Sequence, residues 1–305
     1  MSRTNFPSGF PSGYSVQGFP SVGASPVNTT GTIIYVDSSN GANGNNGLDV
    51  NNAKATIDNA IGATTANKGD VILVMPNHAE NISSATSLVA DVAGVSIIGL
   101  GTGRNRPVLT FTATAGSIEL DAADVRISNI VFFSSISAVV VGINVDAANV
   151  MIDNCEFNFD ATGDDFITMI DVDAVNETVI SNCAFYAEET AGCAEAIRLD
   201  TANRAVVQNN WFTGNFSDAA IIGEGAASLS VLLKDNLIYN EDTTTGNGID
   251  LNVACTGAIV GNRIGTLFST NITGLLDPGS CLCSDNLAAN AVDESGATVP
   301  TTASA

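Results

Sequence analysis

An all-β solenoid, a right-handed parallel β-helix, is the fold class this sequence predicts, and three observations predict it. Short apolar runs ending in Asn recur at a nearly constant interval, no stretch between them has room for an ordinary helix, and the composition favours strands and turns. Of 305 residues 29 are Gly, while four Met, one Trp and ten Lys plus Arg are few for a helical protein.

The repeat is clearest around Asn129 (VRISNIVF), Asn154 (VMIDNCEF), Asn182 (TVISNCAF), Asn210 (AVVQNNWF), Asn236 (VLLKDNLIY), Asn262 (AIVGNRIG) and Asn286 (CLCSDNLA). Successive positions differ by 25, 28, 28, 26, 26 and 24 residues. A second apolar run falls between them: VGINVD (141–146), ITMIDVD (167–173), EAIRLD (195–200), AAIIGEG (219–225) and GIDLNV (248–253). Each period therefore holds two or three short strands separated by polar turns, which excludes the leucine-rich, ankyrin and tetratricopeptide solenoids.

In such a coil every strand pairs in parallel with its counterpart about 4.8 Å away, and inward side chains form apolar columns. Turns can lengthen outward and strands cannot, so the variable stretches YAEETAGCAE, TGNFSDA and NEDTTTGNG read as outward loops. The recurring Asn suits a tight bend, where it tolerates left-handed backbone angles and can bond to stacked amides; the seven are expected to form a structural ladder. Cys155 and Cys183 follow equivalent Asn residues and read as stacked core thiols. All six cysteines are expected to be free, and neither a cysteine-built metal site nor any cofactor is expected, since Cys281 and Cys283 are too close for a zinc knuckle and the chain has one His.

Upstream, GVSIIGLGTG (94–103) and SIELDAADVRISN (117–129) continue the pattern loosely. In AKATIDNAIG (53–62), Ala55, Ile57, Ala60 and Ile61 have roughly helical spacing before Gly62, which predicts a short helix capping the open end of the stack. The order YVDSSNGANGNNG, ATIDNAI and KGDVILVMPNHAE resembles the N-terminal part of pectin-lyase-like right-handed β-helices, of the sort common in bacteriophage virions. The resemblance spans residues 32–290. It implies the fold strongly and an activity weakly, and by resemblance alone a homotrimer is expected.

Residues 1–30 differ in kind. They repeat an F-P-S-G unit, with Phe6, Pro7, Phe10, Pro11, Tyr14, Phe19 and Pro20 as candidate partner-binding residues of an extended arm. The predicted organisation is this arm (1–30), a cap and first coil (31–82), the coils (83–290) and a tail (291–305).

The family resemblance raises polysaccharide cleavage. TGDDFITMIDVD (162–173) resembles the Gly-Asp-Asp motif of polygalacturonases, so Asp164 and Asp165 are the residues an enzyme would use. The accompanying Asn-Thr-Asp, Gly-His-Gly and Arg-x-Lys motifs are not found. Pectate lyases use a basic proton abstractor beside calcium, and in the coils the candidates are Arg126, Arg198, Arg204, Lys234 and Arg263, with Arg198 read as an exposed residue pairing with a carboxylate. Asp164, Asp165, Asp171, Asp173 and Glu177 cluster without the pattern of a calcium loop, and no metal is expected there. His78 reads as an exposed turn residue.

A formal charge of −22 and a pI near 4.1 disfavour nucleic acid and anionic membranes as partners. The N-terminus lacks the apolar core of a secretory signal, so synthesis in the host cytoplasm is expected. The resemblance implies a virion protein, and these features fit a non-enzymatic one on the particle surface, a capsid decoration or cement protein whose arm binds the major capsid protein, another virion protein or a neighbouring subunit. The alternative is a tail spike or fibre module binding, and in one version cleaving, host surface polysaccharide.

Overall fold

The computed structural model describes residues 29–190, 192–244, 246–267, 272–290 and 297–299, together with the backbone of 14–16 and 19–21. Phe6, Pro7, Phe10 and Pro11 of the expected arm, and most of the expected tail, lie outside the described residues. Tyr14–Val16 pairs antiparallel with Phe19–Ser21, placing Ser15 opposite Pro20. That part of the arm is thus a hairpin rather than an extended strand, since a proline is tolerated where a ladder has a free edge.

The rest is a parallel β-solenoid. Sheet 1 has ten strands, from Ile33–Val36 to Leu282–Ser284. Sheet 2 runs from Ala79–Ile82 to Leu287–Ala289, with Ala297–Thr298 added antiparallel, and sheet 3 has eight strands, from Leu88–Val89 to Leu276–Asp277. One coil shows the order: Met151–Asp153 in sheet 1, Glu156–Phe159 in sheet 2, Phe166–Asp173 in sheet 3, then Val179–Ser181 back in sheet 1 beside Met151–Asp153.

Register fixes the core because one position of each strand always meets the same position one coil on. In sheet 1, Ile97, Ile127, Ile152, Ile180, Val207, Leu233 and Ile259 form one buried column; in sheet 3, Ile118, Ile143, Ile170, Ile197, Ile221 and Ile249 form another. Sheet 2 stacks Phe132, Phe157, Phe185 and Phe212 with ring centroids 4.8, 5.1 and 4.7 Å apart. That spacing matches the strand separation and also suits offset aromatic packing, so backbone and side chains favour the same repeat.

The bend between sheets 1 and 2 corrects the single Asn ladder. One column has left-handed backbone: Asn129, Asn154, Asn182, Asn209, Asp235, Gly261 and Asp285, with φ between 52° and 73°. The next column points inward and holds Ile130, Cys155, Cys183, Asn210, Asn236, Asn262 and Asn286. The seven predicted Asn therefore divide: Asn129, Asn154 and Asn182 make the bend, and the last four lie inside it. The two columns meet different demands, positive φ in one and an inward hydrogen-bonding side chain in the other.

The inward Asn residues satisfy one another. Nδ2 of Asn210, Asn236 and Asn262 donates to Oδ1 of the next Asn at 3.1, 2.9 and 2.9 Å. Each also donates to a carbonyl, of Ile180, Val207 or Leu233, while each receiving Oδ1 accepts the backbone N–H of the preceding Asn. Asn210 Oδ1 also accepts from Cys183 N at 2.9 Å, and Cys183 Sγ accepts from Cys155 N at 3.4 Å, so the thiols continue the column. Cys155, Cys183, Cys193 and Cys255 are buried free thiols, and Cys281 and Cys283 are free and half-buried. Burial pushes the Cys183 thiol well above its ordinary range.

At the first coil a short helix, Ile57–Ile61, puts Ile57, Ala60 and Ile61 into the core and is N-capped by Thr56. His78 is not an exposed turn residue. It is 1% exposed, its Nδ1 accepts from Ser38 N at 3.0 Å, and its Nε2 meets Glu80 at 3.0 Å. An accepting Nδ1 leaves the proton on Nε2, so the ring bridges the loop after Ile33–Val36 to Glu80, which also accepts the Ile57 N–H.

Two substitutions separate satisfied from unsatisfied polar groups in this core. Asn236→Ala breaks the amide column in its middle and is expected to cost about 3 kcal/mol. Thr178, whose buried hydroxyl has no partner among the described residues, stands in a column with Val150 and Ala205; Thr178→Val is expected to stabilise by about 1 kcal/mol. Denaturant unfolding of both variants measures the two signs.

Candidate functional site

The outward positions of sheet 3 carry acids. Glu119, Asn144, Asp171, Arg198, Ile222, Asp250 and Asp277 lie in one register column, and Asp173 and Asp200 pair in another two residues on. Arg198 is the one basic residue in the first column. Its Nε meets Asp171 Oδ1 at 3.0 Å, Nη2 contacts the other oxygen, and Nη1 lies 3.5 Å from Glu195. Thr168 Oγ1 also donates to Glu195, whose buried carboxyl is raised by desolvation.

The hydrogen bond to Asp171 and the surrounding carboxylates make the Arg198 guanidinium hold its proton more tightly than usual. A proton abstractor needs the opposite shift. The expected pairing of Arg198 with a carboxylate is present, although the side chain is partly buried rather than freely exposed.

The predicted acidic cluster is not brought together as one site. Asp165 is buried, with Oδ1 accepting Phe166 N and Oδ2 accepting Glu188 N, each at 2.7 Å. Burial pushes its pKa up to about 7 against the pull of these N–H donors. It therefore staples two loops and presents no free carboxylate to a ligand, while Asp164 lies half-buried in the adjoining turn with its N–H bonded to Ala161 O. Asp171 is committed to Arg198, and Glu177 pairs with Arg204 at 2.9 Å.

Among the described residues, the acids close enough to share a cation are Glu119, Asp121 and Asp146, with carboxylate oxygens within 4.8 Å of one another. Asn144 Nδ2 already bridges Glu119 at 3.0 Å and Asp146 at 2.8 Å. Desolvation, then neighbouring carboxylates, raise the pKa of Asp121 and Asp146, and the Asn144 amide relieves part of the repulsion. This group is not a local cluster in the sequence. Its signal was the repeated turn Asp121-Ala122-Ala123, Asp146-Ala147-Ala148, Asp173-Ala174-Val175 and Asp200-Thr201-Ala202, which sets an acid at the same step of successive coils.

Sheet 2 presents a different outer face. Alternation buries Phe157, Phe185 and Phe212 and turns Tyr186 and Trp211 outward, with ring centroids 6.4 Å apart. Trp211, Leu237, Arg263 and Leu287 occupy one column, and Thr213, Tyr239, Gly265 and Ala289 the next. Trp211 is 51% exposed, Leu237 49%, Leu287 44% and Tyr239 40%, and they line an open groove of about 550 Å³. Nearer the N-terminal end of the same sheet, Arg104, Arg106, Phe133 and Glu156 line a second groove of about 790 Å³, with Arg106 bonded to Glu156 at 2.9 Å.

No protein-family model and no curated protein matches this chain. Among solved structures it is similar to a rhamnogalacturonan lyase, at 11% identity over 84% of this chain and 87% of that one, with a TM-score of 0.39. It is similar to pectate lyase Pel9A at 14% identity over 91% and 82%, TM-score 0.43, and to ORF18 of Geobacillus virus E2 at 13% identity over 85% and 62%, TM-score 0.35. At such distance no residue role passes from these proteins to this one.

The raised carboxyls give the fold an unusual pH response. A carboxyl whose folded pKa is raised binds its proton more tightly when native, so its ionisation costs stability; for Asp165 the cost is absent below about pH 4 and complete above about pH 7. Asp121, Asp146, Glu195, Glu241 and Asp250 shift in the same direction. The lowered carboxyls Asp37 and Asp49 act only in more acid solution. The thermal midpoint is expected to rise on acidification from about pH 7.5 to about pH 5, and a fall over that window contradicts the assignment.

Proposed function

We propose that this chain is a non-enzymatic structural protein of a bacteriophage particle, a capsid decoration or cement protein on the virion surface. The observation that carries the reading is the division of the outer faces. The sheet 3 face is acidic, with its one column arginine held by carboxylates, and suits contact with water; the sheet 2 face exposes Trp211, Leu237, Tyr239 and Leu287 and suits contact with protein.

In this reading the protein is made in the host cytoplasm and assembles as a homo-oligomer, a trimer by family resemblance. Residues 1–30 hold it to the major capsid protein, another virion protein or a neighbouring subunit. Nucleic acid and membranes are not partners of so acidic a chain.

A second reading, a tail spike or fibre module binding host polysaccharide, is favoured by one observation. Trp211 and Tyr239 stand exposed beside Arg263, as a sugar-stacking surface would require. Quantitative mass spectrometry of purified particles against the major capsid protein separates the two. Decoration predicts hundreds of copies per particle, a handful favours the tail reading, and absence from particles overturns both.

A further inference from the structure

We propose that the groove around Trp211 is the docking site for residues 1–28 of a neighbouring copy of this chain, so that arms link solenoids. The inference rests on the reading above that the arm holds separate chains together, and it names where the arm binds.

The chemistry of the two parts matches. The groove is lined chiefly by apolar atoms of Trp211, Leu237, Tyr239, Ile264 and Leu287. Its one arginine, Arg263, spends Nη1 on the carbonyls of Gly261, Asn262 and Asp285. So largely apolar a lining suits aromatic and proline side chains, which need no hydrogen-bond partner. The arm supplies Phe6, Pro7, Phe10 and Pro11, and its prolines lower the ordering cost of binding.

Charge favours the same occupant. All 32 acidic residues lie beyond residue 30, and the one charged side chain of residues 1–30 is Arg3. The arm is thus a cationic segment on an otherwise strongly anionic chain, attracted to the body of another copy where two bodies repel each other.

The dimensions also agree. Phe6 and Phe10 are four residues apart, about 12 Å in polyproline geometry. Trp211 and Leu287 are separated by three coil steps, about 14 Å along the solenoid. Two rings of an arm laid along the axis therefore reach both ends of the groove. Between Phe10 and Thr29, where the described chain meets Gly69, the hairpin holds Tyr14 beside Ser21, so the four residues before it and the eight after it span up to about 40 Å, enough to reach an adjacent molecule.

Trp211 is the only tryptophan, so its fluorescence reads the groove directly. The full chain is compared with a full-length Phe6→Ala/Phe10→Ala variant and a Ser8→Ala/Ser12→Ala control, across a dilution series, by emission maximum and acrylamide quenching. Circular dichroism checks the fold, and excess synthetic peptide of residues 1–28 is added back to the double variant. The expected result is a blue-shifted, shielded Trp211 in the concentrated full chain and the control. Dilution or the double variant should remove the shielding, and the peptide should restore it. Identical emission and quenching in the full chain and double variant would overturn the groove assignment. Shielding that survives dilution but not the double variant puts the arm on its own body and overturns the link between copies. Either outcome leaves the particle count free to succeed or fail separately.

Discussion

Everything in this molecule depends on the parallel, in-register pairing of each coil with the next. Because strands meet at a fixed separation of about 4.8 Å, a residue choice is never local: it must suit the same position one coil before and one coil after. The isoleucine columns of sheets 1 and 3 and the Phe132–Phe157–Phe185–Phe212 stack are direct consequences. The amide column of Asn210, Asn236, Asn262 and Asn286 is another, since the amide of each of the first three donates to the oxygen of the Asn one coil on. Where the column changes to Cys183 and Cys155, a thiol accepts the backbone N–H that an amide oxygen would have taken.

The same constraint leaves the outside free to differ from face to face. Outward positions also stack, so any bias in them is repeated into a stripe. On sheet 3 the stripe is acidic, and its repulsion is relieved by Arg198 and by Asn144. On sheet 2 it is aromatic and aliphatic, and the residues around Trp211 remain exposed. The proposed role uses one face for water and the other for contact with protein. A rigid column of coils is a suitable scaffold for holding both faces in fixed relation.

Periodicity made the fold legible. Apolar runs at a steady interval implied strands and the strands implied coils; the structure then buries Phe157, Phe185 and Phe212 and turns Trp211 outward. The bend was only half legible, because Asn209-Asn210 and Asp235-Asn236 hide two roles in adjacent residues. Asn tolerates left-handed backbone and also stacks as an amide, so sequence spacing alone could not assign which role each Asn fills. His78 was misjudged as exposed, and the burial of Asp165 was not legible, for a related reason. Each lies in a polar stretch that reads as exposed loop, yet each is buried by long-range partners, Ser38 and Glu80 for the histidine and the Glu188 N–H for the aspartate. The acidic group at Glu119, Asp121 and Asp146 joins residues from two coils, which a scan for local clusters passes over.

The central claim is that satisfied columns, each side chain completed by its counterpart one coil away, hold this solenoid together. Hydrogen exchange of the side-chain amides, followed by NMR, tests it most directly. The account predicts that the NH₂ protons of Asn210, Asn236 and Asn262 exchange as slowly as core backbone amides, while those of exposed Asn149 exchange freely. Exchange of the three at the rate of Asn149 would contradict it.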